Sequence, residues 1–412
     1  MPSADTATPP ATPPAAPPAA EATAAAHRPT QLLLNLGHAI DHMFLLIFAT
    51  AVTAIAQDFG LTRWEDLMPY GVLAFLMFGL GSLPAGKLGD QWGRRAMMVV
   101  FFVGIGTASI GVALAHTPLQ LALALGLLGT FAAIYHPVGI PMLLQGASRP
   151  GWTIGVNGLA GNLGIAVAAL VTGFLVKHLG WRAAFVIPGV VAIGCGIAFA
   201  RLARQEGAPA ARRAPSAAAP AGVSIARILV VMTLGSTTGN LLFNLSTNAN
   251  YELLADRLAA VTRDPALVGA LLAGVYTIAS FAQLVVGRLI DRVPLKTLYL
   301  GVVVVQGGLL ALATQLSGWA FYAALLACMA FIFGSIPFTD AMLARYVDDR
   351  MRSRVAGLRL TISLGASSAA VWVLGPLVKA AGFTTLLWVM AGISLLTFTV
   401  VTRLPAQGAP AR

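Results

Sequence analysis

Twelve apolar runs, each near the length that crosses a bilayer, set what this chain can fold into. A helix needs about 20 consecutive apolar residues to span the hydrocarbon. The first six runs lie near 31–56, 67–86, 96–116, 119–144, 152–177 and 182–203. The second six lie near 225–254, 266–288, 295–315, 318–344, 356–380 and 382–403. With 58% hydrophobic and 10% charged residues in 412, the chain carries more apolar surface than one soluble core can hide. Lipid is therefore its solvent, and the expected class is an all-α membrane protein.

Charge then sets the orientation. With both termini in the cytoplasm, 20 of the 26 Lys and Arg residues fall in inner segments. The outer segments keep only Arg63, Lys177, Arg182, Arg257, Arg263 and Lys379. That bias follows the positive-inside rule. The net charge of +11 is scattered between apolar runs, so it does not point to nucleic acid. Residues 1–30, rich in Ala, Pro and Thr, read as a disordered tail without the basic start and apolar run of a signal peptide. Residues 205–223 read as a cytoplasmic linker and 405–412 as a short tail. Cys195 and Cys328 sit inside apolar runs and read as small core residues.

One turn stands out: Gly86-Lys87-Leu88-Gly89-Asp90-Gln91-Trp92-Gly93-Arg94-Arg95 joins the second and third runs. Gly86, Gly89 and Gly93 permit close approach and sharp turning. Asp90 suits the N–H groups of a neighbouring helix start, while Arg94 and Arg95 suit acidic groups or lipid phosphates. A weaker copy, Gly287-Arg288-Leu289-Ile290-Asp291, follows about two hundred residues later without the Gly-Arg-Arg ending, and Pro137 is echoed by Pro337. These echoes divide the spans into halves at 31–204 and 224–404.

Ionisable groups inside spans are expensive in lipid and normally face the interior. Of the fifteen acidic residues, Asp41 alone is placed deep in a run, roughly 15 Å along the first helix. Asn35, His38, Asp41 and His42 share one face by their spacing. Three readings are open: proton or substrate handling, with His38 and His42 as partners of Asp41; a hydrogen-bonded structural cluster; and a metal site from two imidazoles and a carboxylate. The first is preferred, with no metal and no cofactor expected. Asn35 is also expected to line a cavity, with Tyr135 and His136 beside Pro137, which should kink the fourth helix, Asn157 and Asn162 among the glycines of the fifth run, and the stripe Asn240, Asn244, Asn248. Asp340 and Arg359 read as an interfacial salt bridge.

The Gly86–Arg95 turn resembles the signature between helices two and three of the major facilitator superfamily. That resemblance implies twelve transmembrane helices in two pseudo-symmetric six-helix halves, with a site near the midplane between them. Ile134 to Pro137, Asn157 to Gly164, Gly180-Trp181-Arg182 and the early His and Asp pair also resemble the fosmidomycin-resistance branch. This implies a proton-coupled exporter of a small organic molecule or drug in a bacterial inner membrane, read as a monomer with a small-molecule substrate, protons and lipid as partners. Gly161-Asn162 replaces the Gly-Pro pair typical of many drug–proton antiporters. An importer of a small organic acid or sugar is the alternative, and a membrane enzyme or receptor lacks support because no nucleophile motif or soluble domain is found.

Overall fold

The computed structural model describes residues 19–145, 150–203, 225–347 and 349–405; the 205–223 linker lies outside them, as do 1–18 and 406–412. All regular structure among the described residues is helical. The first half holds α1 (Ala19–Asp58), α2 (Val72–Trp92), α3 (Arg94–Ala113), α4 (Pro118–Leu144, with a π-helical turn at Tyr135–Gly139), α5 (Pro150–Leu179) and α6 (Trp181–Leu202). The second holds α7 (Ile225–Arg257), α8 (Pro265–Ile290), α9 (Leu295–Ala313) and α10, which comprises Gly318–Gly334 and Ile336–Tyr346. A last helical stretch, Asp349–Thr402, breaks at Gly382, whose φ of 76° and ψ of 172° are non-helical. It therefore supplies α11 (349–381) and α12 (383–402), completing twelve spans.

The boundaries follow local chemistry. Thr117 caps α4 by accepting from the Gln120 N–H, and Asp264 caps α8 by accepting from the Ala266 N–H at 2.9 Å, each with Pro at the first helical position. Helix α1 begins at Ala19, inside the stretch expected to be disordered, because its Ala-rich opening is a strong helix former.

Alternate spans run in opposite directions, so the bundle has a proximal end near the termini and a distal end with the 59–63 and 258–264 loops. Large side chains such as Leu123, Leu127, Phe174, Val190, Trp372 and Leu395 are exposed on the outer surface, where lipid replaces water. Inside, small residues let backbones touch. A Cβ on Gly129 of α4 would sit 2.0 Å from the Ala74 carbonyl oxygen of α2. The halves meet chiefly through α5 against α8 and α2 against α11.

The internal repeat is visible in hydrogen bonding. Arg95 donates to the carbonyls of Ala200 and Ala203 at the end of α6. Lys296, 201 residues after Arg95 (296 less 95), donates to the carbonyls of Thr402 and Leu404 at the end of α12, both at 2.7 Å. A cation thus closes the last turn of each half's final helix, satisfying carbonyls that a helix end leaves open. The second turn lacks Gly-Arg-Arg, yet Lys296 fills the place of Arg95.

Candidate functional site: a histidine and carboxylate cluster in the first half

The site is built where α1, α4 and α5 converge. Glycines in α5 set the spacing: a Cβ on Gly164 would lie 2.1 Å from the Ala39 carbonyl oxygen, so α5 lies directly on α1. One turn earlier, a Cβ on Gly161 would fall 2.7 Å from the His38 ring, so the imidazole occupies space that only glycine leaves. His38 is buried, and its Nδ1 is 2.7 Å from the Asn157 carbonyl oxygen. A carbonyl only accepts, so Nδ1 carries the hydrogen and Nε2 keeps the lone pair.

The amide of Asn157 ties the three helices together. Its Nδ2 donates to Asn35 Oδ1 at 2.9 Å and to the Tyr135 hydroxyl at 2.7 Å. The Tyr135 hydroxyl in turn donates to the Leu34 carbonyl at 2.8 Å. The Tyr135 ring stacks on His38 with centroids 4.8 Å apart. The sequence expectation placed Asn35, Tyr135 and Asn157 as lining groups; they are the scaffold that fixes His38. Asn162 is also buried on α5, and its Nδ2 finds no hydrogen-bond acceptor among the described residues.

His42 and His136 complete the cluster. The His38 and His42 rings meet edge to face at 4.7 Å, and His38 meets His136 at 5.1 Å. His136 comes from the π-helical turn of α4, which the Pro137 kink was expected to disturb. Asp41 is fully buried, and His136 Nε2 lies 3.5 Å from its Oδ2. Neither carboxyl oxygen makes a hydrogen bond among the described residues.

The other expected residues lie apart from this cluster. Asn244 is buried and donates to Ser367 of α11 at 2.8 Å and to the Asn240 carbonyl. Asn248 is buried and donates to the Asn244 carbonyl at 3.0 Å. The side chains of Asn244 and Asn248 are therefore engaged in their own helix and in the α7–α11 contact. A 33-residue helix with a polar stripe satisfies part of it on its own backbone, one turn back. Arg359 is buried on α11, while the side chain of Asp340 lies outside the described residues.

The Gly86–Arg95 turn packs against the α4 kink. A Cβ on Gly89 would meet Val138 at 3.0 Å, and one on Gly86 would meet Pro137 at 3.4 Å. Gly93 takes a φ of 86°, which an L side chain rarely adopts. Asp90 is exposed and makes no hydrogen bond to a described residue, unlike its expected role at a helix start. Arg94 is half-buried beside it.

Sequence reading placed Asp41 as the one deep acid, and the structure adds a second. Glu252 on α7 is buried and accepts from the Thr53 hydroxyl of α1 at 2.7 Å, across the two halves. Its position five residues before the helix end at Arg257 disguised it as an interfacial charge. Two ion pairs also join the halves at this distal end: Lys177 with Asp264, and Lys379 with Asp66. The Lys177 ammonium holds the Asp264 carboxyl below its usual range by direct hydrogen bonding. Trp64 stacks on Phe383 at 6.1 Å, and an open cavity of about 520 Å³ lies beside Glu65, Glu252 and Arg257.

Known proteins bear on this arrangement. The sequence model of the Major Facilitator Superfamily matches residues 34–255. The tetracenomycin C resistance and export protein of Streptomyces glaucescens is 30% identical over 188 residues, covering 44% of this chain and 34% of that protein. A probable hexose phosphate transport protein of Chlamydia pneumoniae is 26% identical over 152 residues, covering 36% of this chain and 33% of that one. The chain thus matches about a third of the length of these curated relatives. A crystal structure of a bacterial homologue of the human lysosomal transporter Spinster, inward-facing and occupied, superposes with a TM-score of 0.68 at 15% identity, over 90% of this chain and 95% of that one. With residues 34–255 matched and twelve spans in two repeated halves, the chain belongs to the Major Facilitator Superfamily.

Proposed function

We propose that the protein is a secondary active transporter that exports a small organic molecule by alternating access, with Asp41 as the proton-coupling group. The observation that carries this reading is Asp41 itself: a fully buried carboxyl group without a hydrogen bond among the described residues, 3.5 Å from His136. A bare buried charge is costly, so such a group serves best where a proton comes and goes as access alternates. The export protein among the relatives supports the direction. The hexose phosphate relative favours a second reading, proton-coupled import. A membrane enzyme is disfavoured by the family and by the absence of a nucleophile beside the cluster among the described residues.

Proteoliposomes with an imposed proton gradient test this reading. Substrate movement opposite to the proton flow supports export, and movement with it supports import. Flux that ignores the gradient for every substrate carried removes the coupling. The termini and the 205–223 linker are proposed to be cytoplasmic. A cysteine introduced at Ala218 is expected to resist an impermeant thiol reagent in intact cells and to react in inverted vesicles; labelling from outside reverses the topology.

Asp90 is proposed to act in a conformation other than this one, where it meets a helix N-terminus. A charge-assisted hydrogen bond contributes roughly 1.5–3 kcal/mol, enough to shift a two-state equilibrium at least about tenfold. Asp90→Asn is therefore expected to slow transport several-fold at unchanged yield of folded protein. Unaltered transport kinetics in that variant leave the turn a structural loop.

A further inference from the structure

We propose that His38, His42 and His136, with Asp41 beside them, form a binding site for a divalent first-row transition-metal ion. The sequence places two imidazoles near a carboxylate; the fold brings in a third imidazole from α4. One donor atom from each of the three histidines lies within 4.8 Å of the others. The rings approach edge to face or tilted, with His42 and His136 centroids 5.9 Å apart, so a common point lies among them rather than a stack.

The tautomer of His38 is the second observation. Its Nδ1–H donates to the Asn157 carbonyl, as metal-ligating histidines do with their other nitrogen. Its Nε2 is buried and has no hydrogen-bond partner among the described residues. A cluster held only by hydrogen bonds would give that lone pair a donor. Both oxygens of the buried Asp41 are likewise without one, and the 3.5 Å gap to His136 is wider than a good charge-assisted bond. Buried acceptors without a donor, on His38 and on Asp41 beside His136, are what a bound cation would satisfy.

The donor set selects its class. Imidazole nitrogen with one carboxylate suits Zn²⁺, Co²⁺, Ni²⁺ or Cu²⁺, whereas Ca²⁺ and Mg²⁺ prefer all-oxygen shells. Bonds of about 2.0–2.1 Å place tetrahedral donors roughly 3.4 Å apart. Donors up to 4.8 Å apart must therefore close by up to about 1.4 Å. His42 and His136 are half-buried and are the rings that would move, while His38 is held by Asn157, Gly161 and Tyr135. Three imidazoles can hold the ion without Asp41 losing or gaining a proton, so the site does not depend on the coupling proposed above.

Titration of the purified full chain in detergent with Co²⁺ tests the proposal, since tetrahedral Co²⁺ has strong visible absorption. One ion per chain is expected, displaced by Zn²⁺. His42→Gln and His136→Gln are each expected to weaken binding at least tenfold and to change the spectrum. The distal His116→Gln and His178→Gln variants are expected to bind as the unaltered chain does. Absence of saturable binding overturns the site, as does unchanged affinity in His42→Gln or in a folded His136→Gln protein. Because the measurement is made at equilibrium without a gradient, it fails or succeeds separately from the flux assays.

Discussion

Asp41→Asn is expected to abolish proton-driven accumulation of substrate while leaving the folded protein intact. Asparagine keeps the size of the carboxyl group and resembles its protonated form, but it cannot release a proton. Asp41 is fully buried on α1 and faces His136 at 3.5 Å, a contact that the amide oxygen of asparagine can keep. A packing defect is therefore not expected, and yield in detergent should match the unaltered protein. Downhill exchange of substrate should persist, because exchange needs no net proton movement. Gradient-driven flux should fall to the level of empty liposomes if the group is the sole carrier. His42→Gln should be milder, altering the pH dependence of flux without removing it, because that ring neighbours the carrier rather than carrying the proton. Proton movement on adding substrate, recorded beside flux, decides the matter. Continued concentrative transport by Asp41→Asn places the carrier elsewhere, with His136 the next group to vary.

The twelve spans could be read from the chain because lipid imposes a length of about 20 apolar residues and punishes charge within it. Ranges such as 119–144 and 182–203 agree with Pro118–Leu144 and Trp181–Leu202 for that reason. The last pair was separable because Gly382 sits between two such runs, although the helix continues on both sides. Within one helix, spacing was equally informative: His38 and His42, one turn apart, meet edge to face.

What joins one helix to another was less legible. Asn157 appeared as one of several amides in α5, yet it orients His38 through its backbone carbonyl, a group with no sequence signature. Asn240, Asn244 and Asn248 have the same stripe pattern as the first helix, but two of them bond back into their own helix and to Ser367. Periodicity shows which face is polar and not what that face meets. The cross-half links between Lys177 and Asp264, Lys379 and Asp66, and Thr53 and Glu252 join residues 87, 313 and 199 apart, beyond the reach of any local pattern.

Those distal links lead to the second large effect. Gly269→Val is expected to drive the halves apart at the distal end without unfolding either half. Helices α5 and α8 cross there with backbone in contact: a Cβ on Gly269 would lie 2.4 Å from the Ala169 carbonyl oxygen, and one on Gly173 would lie 2.7 Å from the Pro265 carbonyl oxygen. Neither obstacle is a flexible side-chain end. Relief requires the helices to separate, and α5 and α8 belong to different halves, so the strain falls on the contact between them. Overpacking of this kind costs about 1–3 kcal/mol. Such a cost shifts a two-state equilibrium roughly 5- to 150-fold. The ion pairs of Lys177 with Asp264 and of Lys379 with Asp66 are exposed and contribute too little to resist it. Spin labels at positions 179 and 261, in a background without Cys195 and Cys328, report the distance across this end. The distribution is expected to move to longer distances in Gly269→Val, with the closed fraction falling at least about fivefold and with transport lost because the protein no longer closes distally. An equivalent substitution at lipid-facing Leu123, on α4, should change neither quantity. An unshifted distance distribution in a folded Gly269→Val protein means that the α5–α8 contact persists in both states and that opening takes place around it.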